Sequence, residues 1–314
     1  NGTAGGTVMV KDINPGRDSS NTDSLTNVNG TIFFSAYTGP EDGSGQNGTG
    51  RELWKSNGTA NGTVLVKDIN PGGLSSFASN LTDVNGTLFF VANDGVTGDE
   101  LWRSNGTAAG TVLVKDIAPG NVTSFPTDLT AVGGTLFFAA DDLTNGTELW
   151  KTDGTTTVMV KDIAVGPEGS LPGFLTNLNG TLIFAANNVG QGRELWKSNG
   201  TAAGTVMVKD IHVGGGFDSS DPFNLQAIEG AVYFSADDGI KGRELWKTDG
   251  TTAGTVLVQD IAPGNSPSIS DPLEFTVAGR RLFFVANDGT HGFELWTLSL
   301  PNLPPQIYMP IARR

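Results

Sequence analysis

The side chains with the greatest capacity for chemistry in this sequence are acidic, and they recur. Glu stands in the tripeptide Glu-Leu-Trp at Glu52, Glu100, Glu148, Glu194, Glu244 and Glu294. Asp stands before Ile at Asp12, Asp68, Asp116, Asp162, Asp210 and Asp260. Paired carboxylates can serve as general acid and base, or ligate a hard cation. A catalytic centre, however, is needed once, whereas these groups appear in every copy of a repeat. Repetition points to a shared backbone need: carboxylates that cap turns and pair across strands with Lys67, Lys115 and their equivalents. No catalytic residue is expected.

A second acidic set lies in Asp-Gly turns: Asp94 in Asn93-Asp94-Gly95, Asp238 in Asp237-Asp238-Gly239, and Asp288 in Asn287-Asp288-Gly289. Asp42 alternates with Ser44 and Gln46 in an insertion over residues 39–48, as at the start of a calcium loop, but no Glu closes it at the twelfth position. These four are the candidate calcium ligands. Each loop offers few carboxylates to an ion that takes six to eight oxygens, and an Asx turn with Gly at positive φ uses the same residues. No cofactor is expected, with calcium the only candidate kept. His212 and His291 lie in different units without a nucleophile or metal-ligand pattern, and there is no Cys for a disulfide, a thiolate zinc site or a thiol nucleophile. Asn57-Gly58-Thr59 and Asn85-Gly86-Thr87 match a glycosylation sequon, but Asn-Gly is also what a tight turn requires.

What must position these groups follows from their spacing. Trp54, Trp102, Trp150, Trp196, Trp246 and Trp296 all sit in Glu-Leu-Trp, at intervals of 46 to 50 residues. Within one unit, Leu81–Val84 leads to Asn85-Gly86, the strongest short hairpin signal. Residues 87–92 form an apolar, β-branched run too short for a helix, and continuous apolar character means burial on both faces. Glu100 to Arg103 predicts a third strand and Thr111 to Ile117 a fourth, ended by Pro119-Gly120. Four antiparallel strands per unit, buried on both faces, describe a propeller blade.

The spacing therefore predicts an all-β, six-bladed β-propeller of four-stranded antiparallel blades over residues 1–300. The chain opens just after the point where a Glu-Leu-Trp strand would stand and reaches Trp296 with no Asp-Ile strand after it. The two fragments complement each other, so residues 7–13 are expected to pair with the C-terminal unit, residues 272–298, and close the ring. Closure removes two sheet edges that would otherwise invite aggregation.

Glu-Leu-Trp-Lys-Thr-Asp-Gly-Thr at residues 148–155 and 244–251 resembles the signature of the ELWxxDGT repeat family of bacterial, mostly extracellular proteins, and the resemblance runs to about residue 297. Some units carry Ser-Asn, as at Ser56-Asn57, in place of Thr-Asp. The resemblance implies an extracellular or cell-surface bacterial protein and carries over no catalytic residue. Ala92, Asp94, Thr97, Gly98 and Trp102 are also similar in spacing to the tryptophan-docking motif of quinoprotein propellers. By that resemblance the six Trp residues are inter-blade packing elements; it does not extend to a quinone cofactor.

A net charge of −14 over 314 residues argues against nucleic acid and against anionic membrane surfaces as partners. No apolar run is long enough to span a membrane as a helix, and Asn1-Gly2-Thr3 has no signal-peptide pattern. The units differ most between Asp-Ile and the next inner strand, over residues 14–24, 70–80, 118–128, 164–174, 212–224 and 262–272. Polar, variable loops on a rigid scaffold are where binding concentrates, so a glycan or a protein is the expected partner there. Phe77, Phe125, Phe174, Phe217 and Phe223 lie in or beside these loops, each expected to plug the base of its own loop.

Residues 301–314 fall outside the repeat. Pro301, Pro304 and Pro305 keep them extended, and Ile307 to Ile311 is apolar, a pattern suited to docking on another chain. Three functions follow: a non-catalytic extracellular binding or scaffold propeller, first; a subunit of an extracellular homo-oligomer or filament joined through residues 303–314; and a propeller glycan hydrolase.

Overall fold

The computed structural model describes residues 2–39, 48–214, 218–263 and 270–300. Asp42, Phe217 and residues 303–314 lie outside them. The chain divides into two compact units, Asn1–Leu171 and Pro172–Arg314.

The first unit holds three four-stranded sheets. The first consists of β1 (Asp23–Val28), β2 (Thr31–Thr38), β3 (Gly50–Ser56) and β4 (Val64–Lys67). The second consists of β5 (Ser79–Val84), β6 (Thr87–Asn93), β7 (Asp99–Ser104) and β8 (Val112–Lys115). The third consists of β9 (Thr127–Val132), β10 (Thr135–Asp141), β11 (Thr147–Thr152) and β12 (Thr157–Lys161). The second unit holds a sheet of β13 (Gly173–Leu178), β14 (Thr181–Asn188), β15 (Gly192–Ser198) and β16 (Val206–Lys209). A further sheet contains β17 (Phe223–Ile228), β18 (Ala231–Asp237), β19 (Arg243–Thr248) and β20 (Val256–Gln259). The last contains β21 (Leu273–Ala278), β22 (Arg281–Asn287) and β23 (Phe293–Ser299). Every sheet is an antiparallel meander in chain order. The blade architecture expected from the repeat is therefore present, with three strands in the last sheet and no strand assigned over residues 7–13.

The first two strands of each blade turn on two residues. At Asn85-Gly86 both φ angles are positive, 51° and 85°, as the tight hairpin requires. Strand β6 then lies between two neighbours and is buried along its length, so it reads as a continuous apolar run, Leu88 to Ala92. Strand β7 places Leu101 on one face and Glu100 with Trp102 on the other, because side chains alternate.

Packing joins successive blades. Val28, Phe33, Leu53, Val66 and Ile69 of the first blade form one cluster with Leu88, Phe90, Ala92 and Trp102 of the second. Val84, Phe89, Leu101 and Ile117 meet Leu136, Phe138 and Trp150 in the same way. In the second unit Ile183, Leu195 and Ile211 meet Val232, Phe234 and Trp246. The Leu of one Glu-Leu-Trp thus packs towards the Trp of the next. Trp54, Trp102, Trp150, Trp196 and Trp246 are buried, and Trp296 is half-buried.

The outer-strand lysines belong to this packing. Lys67 donates to the Thr111 carbonyl (2.8 Å) with its ammonium 5.5 Å from the Trp102 ring centroid. Lys209 does the same with Thr255 (2.8 Å) and Trp246 (5.5 Å). A cation over an aromatic face is attracted by the ring quadrupole. The sequence-based expectation of Lys67 as a cross-strand partner of the repeated acids is corrected accordingly: it meets a carbonyl and a ring of the following blade.

Candidate functional site

In five of the six Glu-Leu-Trp copies the Glu reaches into the loop that leaves its own blade for the next one. Glu52 accepts from the Ile69 N–H (2.9 Å), the Asn70 N–H (3.4 Å), the Ser76 N–H (3.0 Å) and the Ser76 hydroxyl (2.7 Å). Glu100 accepts from Ala118 N–H (3.1 Å) and Ser124 Oγ (2.6 Å), and Glu148 from Ala164 N–H (3.1 Å), Ser170 N–H (2.9 Å) and Ser170 Oγ (2.6 Å). In the second unit Glu194 takes Ile211 N–H and Ser220, and Glu244 takes Ile261 N–H, Ala262 N–H and Ser270 Oγ. These five carboxyls and five serines are fully buried. The arrangement is a clip: one carboxyl satisfies donors at both ends of a loop that has no ladder of its own.

The serines were not singled out in the sequence, although a signal exists. Ser20, Ser76, Ser124, Ser170, Ser220 and Ser270 each stand three residues before an inner strand, at the end of loops that otherwise vary. Looking for variability across these loops hides a residue that all six share.

Burial raises the pKa of all five clip carboxyls, against the hydrogen bonds that lower it; Glu52 is pushed up to about 7. The unfolded chain ionises these groups near 4.5, so above that pH, and for Glu52 up to about 7, the folded state holds more protons than the unfolded one. Stability therefore falls as pH rises through this window and levels off above it. Urea unfolding from pH 4.5 to 8 is expected to show this slope, and Glu52→Gln to show a shallower one; equal slopes would remove Glu52 from the account.

Directly after each of these six serines the backbone is left-handed. The six positions are Asn21 (φ 43°), Phe77 (52°), Phe125 (49°), Leu171 (49°), Asp221 (48°) and Asp271 (41°). Asn and Asp tolerate this region, whereas a bulky apolar residue there is an outlier. Phe77, Phe125 and Leu171 are nonetheless exposed, at 63%, 66% and 49%. All three belong to the first unit. Phe77 and Phe125 enter strands β5 and β9, which lie side by side, with Thr82 Oγ1 donating to the Leu129 carbonyl (3.4 Å). The expectation that each Phe plugs its own loop is corrected for this pair: the clip serine holds the base of the loop, and the ring is turned out to solvent. Phe174 and Phe223 instead pair with each other edge to face across β13 and β17, 4.7 Å between centroids.

The second unit presents charge at the same position. Asp221 lies 3.8 Å from both Arg193 and Arg243, and Arg243 also donates to the Asp221 carbonyl (2.7 Å).

The candidate calcium ligands in described turns use their oxygens locally. Asp94 Oδ1 accepts from Val96 N–H, Thr97 N–H and Thr97 Oγ1, and Asp238 Oδ1 from Ile240 and Lys241 N–H. Asp288 takes the His291 ring at 2.8 Å together with the Thr290 and His291 N–H groups, and these bonds hold its carboxyl down to about 2. Each Asp is the cap of an Asx turn. Asn57 likewise caps its own turn, taking Thr59 N–H and Oγ1. His212 faces the Ser219 carbonyl (3.3 Å), so the two histidines serve separate loops.

No protein-family model matches the chain, and no curated protein matches it. Among solved structures it is similar to prolyl oligopeptidase B from Galerina marginata, captured as a mutant with a hydrolysis and macrocyclization substrate. The TM-score is 0.54 at 11% identity, covering 90% of this chain and 43% of that one. It is similar to a prolyl endopeptidase analysed for inter-domain dynamics, with a TM-score of 0.50 at 10% identity over 85% of this chain and 40% of that one. A further match is the β-propeller domain of the Trilobed protease from Pyrococcus furiosus, described as having an open velcro topology (TM-score 0.48, 11% identity, 88% and 81% covered). The chain thus spans about two fifths of the prolyl peptidases it matches. The repeated four-stranded antiparallel meanders are of the β-propeller blade class; likeness to solved structures at this identity speaks to fold alone. Among the described residues no helix is long and apolar enough to cross a membrane.

Proposed function

We propose that the chain is a non-catalytic binding propeller, closed into a six-bladed ring, that presents its partner-binding surface on the loops held by the Glu–Ser clips. The observation that carries the binding role is the pair Phe77 and Phe125. Sibling positions in the same chain use Asn21, Asp221 and Asp271, which suit a left-handed backbone. Two exposed phenylalanines at that geometry have no packing reason to be there. Strain kept at exposed positions is a mark of function, and aromatic rings on rigid loops make good contact surface. The repeated carboxyls, meanwhile, are engaged in holding loops.

A double variant Phe77→Asn/Phe125→Asn tests this reading. Asn relieves the strain, so melting is expected to be unchanged or raised by the equivalent of about 1 kcal/mol per site. Binding on glycan and peptide arrays is expected to be lost. Binding that survives the double variant, or turnover of a glycan abolished by one Asp or Glu substitution, would overturn the proposal.

Ring closure is supported from both ends of the repeat. Lys11 donates to the Thr63 carbonyl (2.7 Å) with its ammonium 5.9 Å from the Trp54 centroid, as Lys67 does with Thr111 and Trp102. Lys11 thus meets the first blade as Lys67 meets the second. Ser20 accepts the Tyr37 N–H (2.8 Å) as Ser76 accepts that of Asn93 (2.9 Å), so Ser20 is the sixth clip serine. At the other end Glu294 is exposed and Leu295 is 71% exposed, whereas the five sibling Glu and Leu residues are buried. An apolar cavity of about 330 Å³ beside the first blade, lined by Val10, Ile13, Leu25, Ile32 and Phe34, is where a preceding blade would pack. In the closed ring Glu294 clips Ile13 and Ser20, residues 7–13 add to β23, and Leu295 is covered.

The bacterial extracellular setting implied by the ELWxxDGT resemblance belongs to the same proposal. A cysteine-free acidic ring without open sheet edges suits an oxidising exterior.

A further inference from the structure

We infer that the second unit holds a site for a uronic acid residue of a glycan, built from Arg193 and Arg243 with the ring of Phe223 beside them. The inference rests on the non-catalytic binding reading above, yet uses none of the Phe77 and Phe125 surface.

The first blade shows what such an arginine does in a purely structural setting. Arg51, at the start of β3, donates to the Asn21 carbonyl (2.8 Å) and closes on the Asp23 carboxylate at 2.7 Å. Asp23 is the third residue after Ser20. Counted the same way, Gly173 follows Ser170 and Phe223 follows Ser220. The second unit thus keeps the arginine, as Arg193 in β15 and Arg243 in β19, and has a glycine and a phenylalanine where the carboxylate would stand. Arg193 lies over that position: a Cβ on Gly173 would come 2.8 Å from its guanidinium. Arg243 keeps the backbone contact, donating to the Asp221 carbonyl (2.7 Å), and reaches Ser235 Oγ at 3.4 Å.

Both guanidiniums converge on Asp221, which closes on neither. Its carboxylate is 3.8 Å from Arg193 and 3.8 Å from Arg243, whereas a strong charge-assisted pair sits at about 2.7–2.9 Å. The Asp221 backbone is pinned on both sides, its N–H to the Arg193 carbonyl (3.1 Å) and its C=O to Arg243, with φ at 48°. A side chain one carbon long cannot make up the gap from there. Asp237, opposite Arg243 on β18, turns its carboxylate to the Gly239 N–H (2.8 Å). The arginines are largely covered, at 18% and 20% exposed, while Asp221 is 59% exposed. Two positioned cations therefore share one loosely held carboxylate, in a chain whose net charge is −14.

The rings complete the site. Phe174, next to Gly173, meets Phe223 edge to face at 4.7 Å, and Phe223 stays 42% exposed. A half-open ring, planar guanidinium forks and an exposed acceptor at Asp221 call for a ligand with an apolar face, one carboxylate and hydroxyl donors. A uronic acid carries all of these on one rigid ring. An acidic peptide brings the carboxylate on a flexible chain without the hydroxyls, and loses more freedom on binding. The charge of the whole chain repels dense polyanions, so the site suits a uronic unit that is terminal or spaced by neutral sugars.

Titration calorimetry on the full chain tests this with a trisaccharide ending in one glucuronic acid and with its glucose-ended counterpart. The acidic sugar is expected to bind tighter by about tenfold or more. Phe223→Asp rebuilds the Asp23 type of pair on Arg243, so the melting temperature is expected to hold while affinity for the acidic sugar falls by about tenfold or more. Arg243→Gln is expected to lose affinity likewise, and Phe77→Asn/Phe125→Asn to keep it. Equal affinity for the two sugars, parent-like binding by Phe223→Asp, or tighter binding of a neutral tripeptide through its terminal carboxylate overturns the inference. If the acidic sugar does not bind while array binding still depends on Phe77 and Phe125, the uronic acid site fails and the binding reading stands.

Discussion

Replacing Glu52 with alanine is expected to destabilise the protein by about 3 kcal/mol. Four donors converge on this carboxyl: the Ile69, Asn70 and Ser76 N–H groups and the Ser76 hydroxyl. Removal leaves them in a fully buried site, and each unsatisfied buried donor costs about 1–3 kcal/mol. Relaxation and water entry recover part of that, which brings the expected cost below the sum for four separate donors. Glu52→Gln is no remedy, because its NH₂ meets backbone N–H groups that need an acceptor. Ser76→Ala removes one donor with its acceptor still engaged elsewhere and is expected to cost about 1 kcal/mol. Urea denaturation of the three variants checks the order. A Glu52→Ala variant within 0.5 kcal/mol of the parent, roughly the range of an ordinary surface change, would mean that the clip does not hold the loop.

Deletion of residues 1–13 is expected to lower the melting temperature sharply, by as much as loss of a whole outer strand in any other blade. In the closed ring these residues complete a sheet and cover Trp54, Leu295 and the cavity beside Phe34. Their loss uncovers apolar surface on two blades and opens two edges. Glu294→Ala supplies a single-atom-scale version of the same test. As an exposed side chain it should be worth no more than about 0.5 kcal/mol; as the sixth clip it should cost about as much as Glu52→Ala. Parity between the two substitutions supports closure, and a neutral Glu294→Ala together with parent-like melting of the deletion excludes it.

Much of the fold was legible in the sequence because blades are local objects. Hairpin turns such as Asn85-Gly86, the apolar run 88–92 and the alternation in Glu-Leu-Trp each report on strands a few residues apart, and a six-fold repeat shows which features every blade needs. The same repetition pointed the recurrent Glu to a structural role, and five of them hold loops. What that role is was not legible: the donors for Glu52 lie 17 to 24 residues away on a loop, so only the folded chain shows that the carboxyl faces them and not Lys67.

The candidate site divides in the same way. Sequence located the variable loops and the Phe residues in them, since composition and spacing mark where the repeat breaks down. It could not say which rings point outward. That depends on a left-handed turn at Phe77 and Phe125, set by the buried serine before each and by a carboxyl from the preceding blade. The asparagine or aspartate that elsewhere signals such a turn, as at Asn21, Asp221 and Asp271, is missing at these two. Local propensity there opposes the backbone, and only tertiary contacts, made by groups distant in sequence, decide the conformation that brings the aromatic surface into solvent.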